Sequence, residues 1–462
     1  MIPNTALNGA TLDALFVHVS LLGILLLIST WLRLKIPLLK QYHIPASLVA
    51  GVIGLILGPF FIGVISSEVT TTWSGLAGRL IVIVFAPMMM GKNKYSGKSI
   101  AKKALGSIIW SYNASFVQYA FPILVTALVL TPAFGVNELF GTVVEQGWAG
   151  GHGTAGGMAI VFEELGWLDG QSLSVTSATI GLLFGIIGGI IIINIGTRKG
   201  WTAFLHDTTG IKNEEVELFT KEKPVSGHDA ISSGVINNLA FHGALISVAI
   251  FIGWILNKLL KSYLNFSVSW FVTALFGGLF VWKLIEKTSW GDAVDKGTLS
   301  SLQGISLEFL VAGAVASVNI PIVIAYAVPL IITQVGMMVI QLFLNIWFAR
   351  RIFGEYWLEN SMVLFGTYTG VAATGLLLLK TCDPESKSDA LSVYAARAPF
   401  TGWALGGGVL TSMTPVWVMQ FGAVKVGLVY LAGTAITFIL PKILGIWNPV
   451  VKKSNTVNPQ SV

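Results

Sequence analysis

Stretches of about twenty apolar residues recur along this chain, the first opening near Leu12 and the last closing near Leu440. A helix of about twenty residues crosses the hydrocarbon core of a bilayer. In that solvent an unpaired backbone group costs several kcal/mol, so only helices and closed barrels span it. Barrel strands would alternate polar and apolar residues over about ten positions, and these runs do not. Composition agrees: 54% of the 462 residues are hydrophobic and 11% charged, against about 25% charged in a soluble domain. The net charge of +6 therefore marks cytoplasmic loops rather than a nucleic-acid partner. The single cysteine, Cys382, excludes an intrachain disulfide and any Cys-rich metal or iron–sulfur centre. The first run has no basic leader and no clear cleavage site, so it reads as a retained helix.

Helices are predicted over about 12–32, 45–65, 76–91, 105–131 and 171–195. A second set covers about 235–257, 267–285, 299–318, 321–349 and 388–410, and one more covers about 414–440. Two segments break this pattern. Residues 140–164 contain Gly150-Gly151-His152-Gly153-Thr154-Ala155-Gly156-Gly157, and residues 360–381 contain Gly366-Thr367-Tyr368-Thr369-Gly370. Each glycine weakens a helix by roughly 1 kcal/mol. At membrane depth such backbone is tolerated only where it is packed in protein or lines a wet cavity. Both segments therefore read as re-entrant hairpins.

Charge orients the chain. With the N-terminus outside, the inner loops collect Arg33, Lys35 and Lys40, then Lys92, Lys94, Lys98, Lys102 and Lys103. They also hold Arg198, Lys199, Lys283, Lys287, Arg350, Arg351 and the lysines of the C-terminus, while the outer loops keep little beyond Lys258 and Lys261. The positive-inside rule favours this arrangement, with the C-terminus cytoplasmic. The two hairpins then enter from opposite sides. The expected fold is an all-α polytopic membrane protein of two inverted five-helix repeats, each with a re-entrant hairpin, plus one extra C-terminal helix. Its parts are residues 1–197 with hairpin 140–164, a cytoplasmic loop 198–233, residues 234–411 with hairpin 360–381, and 412–462 as extra helix and tail. Phe140-Gly141-Thr142 recurs as Phe365-Gly366-Thr367, and Gln118 has a counterpart in Gln334, one helix before each hairpin.

Broken helices expose N–H groups that attract carboxylates, and carbonyls and hydroxyls that suit Na⁺. Gly151, His152, Gly153 and Thr154 are candidates on the first hairpin; Thr367, Thr369, Gly370 and Thr374 are candidates on the second. A Na⁺ site is expected near Thr154 and Thr369. The alternatives are close helix packing through small residues and threonines bonded back to their own helix. Gln118 and Gln334 are either substrate contacts or interhelical hydrogen bonds. Arg397, Glu145 and Glu308 are charges at membrane depth, each costing at least about 2.5–3.5 kcal/mol unless partnered. Arg397 either binds a substrate carboxylate or neutralises Glu308 or Glu145. No HExxH, GxSxG or P-loop is present, so enzymatic and ATP-driven readings are set aside, with no cofactor beyond a coupling ion.

These segments resemble the bacterial sodium:glutamate symporter family. The resemblance is carried by LLKQYHIPASLVAGVIGLIL (38–57), WAGGHGTAGGMAIVFEELG (148–166), ATIGLLFGIIGGIII (178–192) and LSSLQGISLEFLVAGAVAS (299–317), and it extends over about residues 12–411. Where that family's second hairpin carries a Gly-His-Cys-Gly-like motif, this chain has Gly366-Thr367-Tyr368-Thr369-Gly370. The resemblance implies Na⁺-coupled symport of L-glutamate or a related small anion, by elevator-type alternating access, in a homodimer of the cell inner membrane. The residues alone leave open a proton-coupled or efflux carrier of another anion, and a channel or membrane scaffold.

Overall fold

The computed structural model describes residues 8–37, 39, 44–91, 98–204, 234–264, 270–383 and 387–447. Residues 205–233 of the polar loop lie outside them, as do Lys40, Lys92, Lys94, Lys452 and Lys453. Helix α1 (Gly9–Lys35) starts where the Asn8 side chain accepts the Thr11 N–H at 2.8 Å, and it ends ahead of Pro37. Helices α2 (Ala46–Leu57) and α3 (Ser67–Phe85) follow. α3 begins well before the expected position 76. The hydroxyls of Thr70 and Thr71 donate to the Ser67 carbonyl and that of Thr72 to Glu68, so this polar turn is satisfied within the helix.

Helix α4 (Lys98–Val125) contains Pro122 and passes into a π turn (Thr126–Leu130) and a last turn, Thr131–Phe134. Pro122 donates no hydrogen bond and crowds the preceding carbonyl, which favours such an irregularity. A 3₁₀ turn (Glu138–Thr142) opens the first hairpin, which continues through α5 (Val143–Trp148), α6 (Gly151–Gly157) and α7 (Ala159–Glu164). The long α8 (Gly170–Arg198) closes this half.

The second half runs through α9 (Asn238–Leu264), α10 (Trp270–Ile285) and α11 (Lys296–Ala316) to α12 (Ala327–Phe343). α12 also passes into a π turn (Leu344–Phe348), a last turn (Ala349–Ile352) and a 3₁₀ turn (Gly354–Tyr356). The second hairpin is α13 (Trp357–Thr369) and α14 (Ala372–Cys382). Among the described residues seven helices are long and apolar enough to cross a membrane: those starting at Gly9, Ala104, Gly170, Asn238, Lys296, Ala327 and Ala423. The protein is thus an all-helical, multi-pass membrane protein.

The end of the chain differs from expectation. The helix expected over 388–410 is α15 (Ala390–Thr401), a glycine turn over 402–408, and α16 (Val409–Phe421). Gly406 and Gly407 take φ of 59° and 107°, a left-handed region costly to residues bearing a Cβ. The helix expected over 414–440 is interrupted at Gly422, and α17 (Ala423–Ile443) is the last one. The expected boundary at 411 therefore falls inside α16.

Two packing groups follow. α1, α2 and α3 pack with α11, α10 and α9; Leu22, Leu25, Trp73 and Ala312 form a small core between α1, α2, α3 and α11, while α9, α10 and the other faces of α3 and α11 share the larger core. The second group contains α4, α8, α12, both hairpins and the helices from α15 onward. The first hairpin joins them, because α6 touches α3 and α11 on one side and α8 on the other. Its fit on α8 is close: a Cβ at Gly147 would lie 2.6 Å from the Ala178 backbone nitrogen and 2.7 Å from the Ser174 carbonyl oxygen. Gly147→Val is expected to cost about 1–3 kcal/mol or more, because backbone cannot yield as a side-chain tip can. Gly243→Ala, in α9 with nothing within 4 Å of its added carbon, is expected to gain up to about 1 kcal/mol. Thermal midpoints of the two purified variants would differ in sign from wild type.

Candidate functional site

The hairpin tips meet. Gly151 opens α6 with a φ of 65°, and a Cβ there would lie 2.7 Å from Val371 Cγ1 and 3.0 Å from the Gly370 carbonyl oxygen. The remaining glycines of α6 serve contact with two neighbouring helices, α11 and α3. Gly153 faces Leu307, Gly156 faces Ala314 of α11, and Gly157 faces Ile81 of α3. His152 is buried, with Nε2 3.0 Å from Thr179 Oγ1 of α8. Thr154 is buried against Gly407 of the glycine turn.

On the second hairpin, the Thr367 hydroxyl donates to the Val363 carbonyl at 2.7 Å and stands 3.3 Å from Tyr394 OH. The Thr369 hydroxyl donates to the Phe365 carbonyl at 2.8 Å and packs on Gly185 of α8. Thr374 is buried beside Gly185 and Gly370. Both hydroxyl protons are used within α13, which leaves only oxygen lone pairs to offer an ion. Thr154 and Thr369 have different neighbours, the glycine turn and α8 respectively.

Gln118 and Gln334 each brace the hairpin of the other half. Gln118 Nε2 donates to the Tyr368 carbonyl at 2.7 Å, and Gln334 Oε1 accepts the Trp148 indole N–H at 2.6 Å while its Nε2 donates to Ser177 Oγ at 2.8 Å. Gln118 Oε1 has no partner among the described residues.

Arg397 pairs with neither expected carboxylate. It is buried on α15, donating from Nη1 to Thr401 Oγ1 at 2.9 Å and to Tyr368 OH at 3.5 Å. Its guanidinium lies 4.3 Å from the Tyr394 ring centre and 5.5 Å from that of Tyr368, and its Nε has no hydrogen-bond partner among the described residues. Glu308 is exposed on α11. Glu145 is fully buried and held by neutral donors. Its Oε1 accepts from Ser115 Oγ at 2.6 Å, Thr411 Oγ1 at 3.1 Å and the Gly406 N–H at 3.2 Å, and its Oε2 accepts from Tyr119 OH.

This carboxylate network is the part that the sequence reading missed. It ties α4, the first hairpin and the glycine turn at one point. Three successive glycines, Gly406 to Gly408, were the available signal for the turn. Beside it, Met88–Gly91, Lys296, Ala398, Pro399, Gly402 and Trp403 line a cleft of about 240 Å³.

Two broken helical segments whose tips meet inside a multi-pass bundle are the arrangement of a solute transporter. The sodium/glutamate symporter pattern matches residues 11–375, and the chain belongs to that family. It is accordingly a secondary transporter. The match stops short of Arg397, the glycine turn and α16, whose roles rest on geometry. No curated protein matches the chain. Among solved structures, the sodium proton antiporter MjNhaP1 from Methanocaldococcus jannaschii at pH 8 aligns over 94% of this chain and 97% of its own. Its identity is 13% and its TM-score 0.30, a likeness too slight to argue from.

Proposed function

We propose that the protein carries L-glutamate, or a related small anion, together with Na⁺ into the cell, by elevator-type movement of a hairpin-bearing domain. The observation that carries this reading is Arg397: a buried guanidinium that meets the hydroxyl of Tyr368 on the second hairpin and has, among the described residues, no carboxylate partner and no partner for Nε. A buried cation left unpaired is costly, and a substrate carboxylate would complete it. Backbone N–H groups around Gly151–Gly153 and the oxygens of Thr154, Thr367 and Thr369 complete the proposed site, with Thr154 and Thr369 nearest the Na⁺.

The inverted repeat is part of the proposal. Its support is the shared order of long helix, π turn, 3₁₀ turn and hairpin in each half, and the reciprocal bracing by Gln118 and Gln334. The two packing groups supply a scaffold and a moving body, and a homodimer in the cell inner membrane, N-terminus outside, is the proposed setting.

Uptake of labelled glutamate into proteoliposomes tests this. Ion and substrate that share a carrier couple by about 1–3 kcal/mol, so an inward Na⁺ gradient is expected to raise initial uptake about tenfold or more. Uptake indifferent to Na⁺ would remove the coupling; transport of another anion in place of glutamate would remove the substrate. Glu145, a buried carboxylate with no cation partner among the described residues, favours proton coupling as the second reading. Uptake driven by a pH gradient in Na⁺-free buffer would establish it instead.

A further inference from the structure

Where α8, α12 and α17 end, four cations stand around four tryptophans. Lys199 Nζ lies 5.1 Å and the Arg350 guanidinium 5.0 Å from the centre of the Trp201 ring. Arg350 also lies 5.1 Å from the Trp357 ring centre. Arg351 lies over Trp347 at 4.1 Å and near Trp447 at 5.9 Å, and Lys442 lies over Trp447 at 4.9 Å. Each of two indoles, Trp201 and Trp447, is therefore shared by two cations. Among the described residues none of the four cations is ion-paired with Asp or Glu. Arg351 Nη1 donates only to the Trp347 carbonyl, at 2.8 Å.

A single interfacial Trp or Arg anchors one helix and needs no ligand. Here the groups converge from both halves of the chain and from its last helix. The guanidinium groups lie against indole rings, and apart from Arg351 Nη1 their N–H groups make no hydrogen bond among the described residues and can donate to a ligand. Like charges gathered about a shared ring repel one another, and an anion bound beside them relieves that repulsion. The site lies at the ends of three membrane-spanning helices, at the depth of lipid headgroups. We infer that this is a binding site for anionic phospholipid, one lipid phosphate for each cation pair: Lys199 with Arg350, and Arg351 with Lys442. The tryptophans would flank the glycerol and the upper acyl chains, where amphipathic rings are favoured.

The test uses the full-length protein in detergent, titrated with phosphatidylglycerol, phosphatidylcholine or inorganic phosphate and followed by native mass spectrometry and thermal midpoint. Each interfacial cation favours an anionic lipid by about 1 kcal/mol, so phosphatidylglycerol should bind about tenfold or more tightly than phosphatidylcholine and raise the midpoint. Arg350→Gln/Arg351→Gln should abolish that preference. If this variant does not fold, Lys199→Gln/Lys442→Gln, at exposed positions, should reduce it severalfold. Equal affinity for the two lipids would overturn the inference. So would an unchanged preference in the substituted proteins, or a midpoint rise reproduced by inorganic phosphate alone.

Discussion

Glu145→Ala is expected to destabilise the protein by about 3–5 kcal/mol, and Glu145→Gln by about 1 kcal/mol or less. The alanine leaves four donors without their acceptor: Ser115, Tyr119, Thr411 and the Gly406 N–H. Each buried group left unsatisfied costs about 1–3 kcal/mol. Three of them are hydroxyls and can turn toward other acceptors; the Gly406 N–H is fixed by its turn. Glutamine keeps a carbonyl oxygen where Oε1 accepts three of these bonds. Its amide then faces Tyr119, whose hydroxyl can accept as well as donate. Thermal midpoints in detergent separate the two variants, and equal losses would show that charge rather than acceptor geometry holds the turn. The glutamine variant also divides the two coupling readings: Na⁺-driven uptake should survive it, and uptake driven through Glu145 should not.

The sequence and the structure meet most closely at the glycine-rich hairpin. Its composition predicted backbone that no isolated helix would keep, and α6 is a short helix held between α3, α8, α11 and the tip of the second hairpin. What the composition did not tell was the purpose of each glycine, because contact partners such as Leu307 and Val371 lie far away in sequence. The same limit applies to Glu145. A lone acid in an apolar run was visible, but its partners come from 30 residues before it and 266 after it. Gln118 and Gln334 were legible as polar groups that need partners, and the choice of the opposite hairpin was not. The glycine turn was hidden by Trp403, Ala404 and Leu405, which extend the apolar pattern of α15 across the break. The threonines of the second hairpin read as candidate ligands; in space two of them also bond back within α13.

Arg397 is where stability and transport are expected to part. Arg397→Gln removes a buried cation whose insertion alone costs at least about 2.5–3.5 kcal/mol. It forfeits the Thr401 hydrogen bond and the rings of Tyr394 and Tyr368, together about 2–3 kcal/mol. These terms nearly cancel, so the midpoint should stay close to wild type or rise. Transport should not follow. Charge-assisted hydrogen bonds to a carboxylate contribute about 1.5–3 kcal/mol each, and losing a two-pronged contact should weaken apparent substrate affinity about a hundredfold or more. Arg397→Lys keeps the charge without the planar fork, so it should recover part of that affinity and not all. Saturation curves in proteoliposomes, read beside thermal midpoints, test both halves. A glutamine variant with wild-type affinity would leave the guanidinium a structural partner of Tyr368 and Tyr394. A variant that lost stability and affinity together would show that the cation organises the hairpin tip rather than binding the substrate.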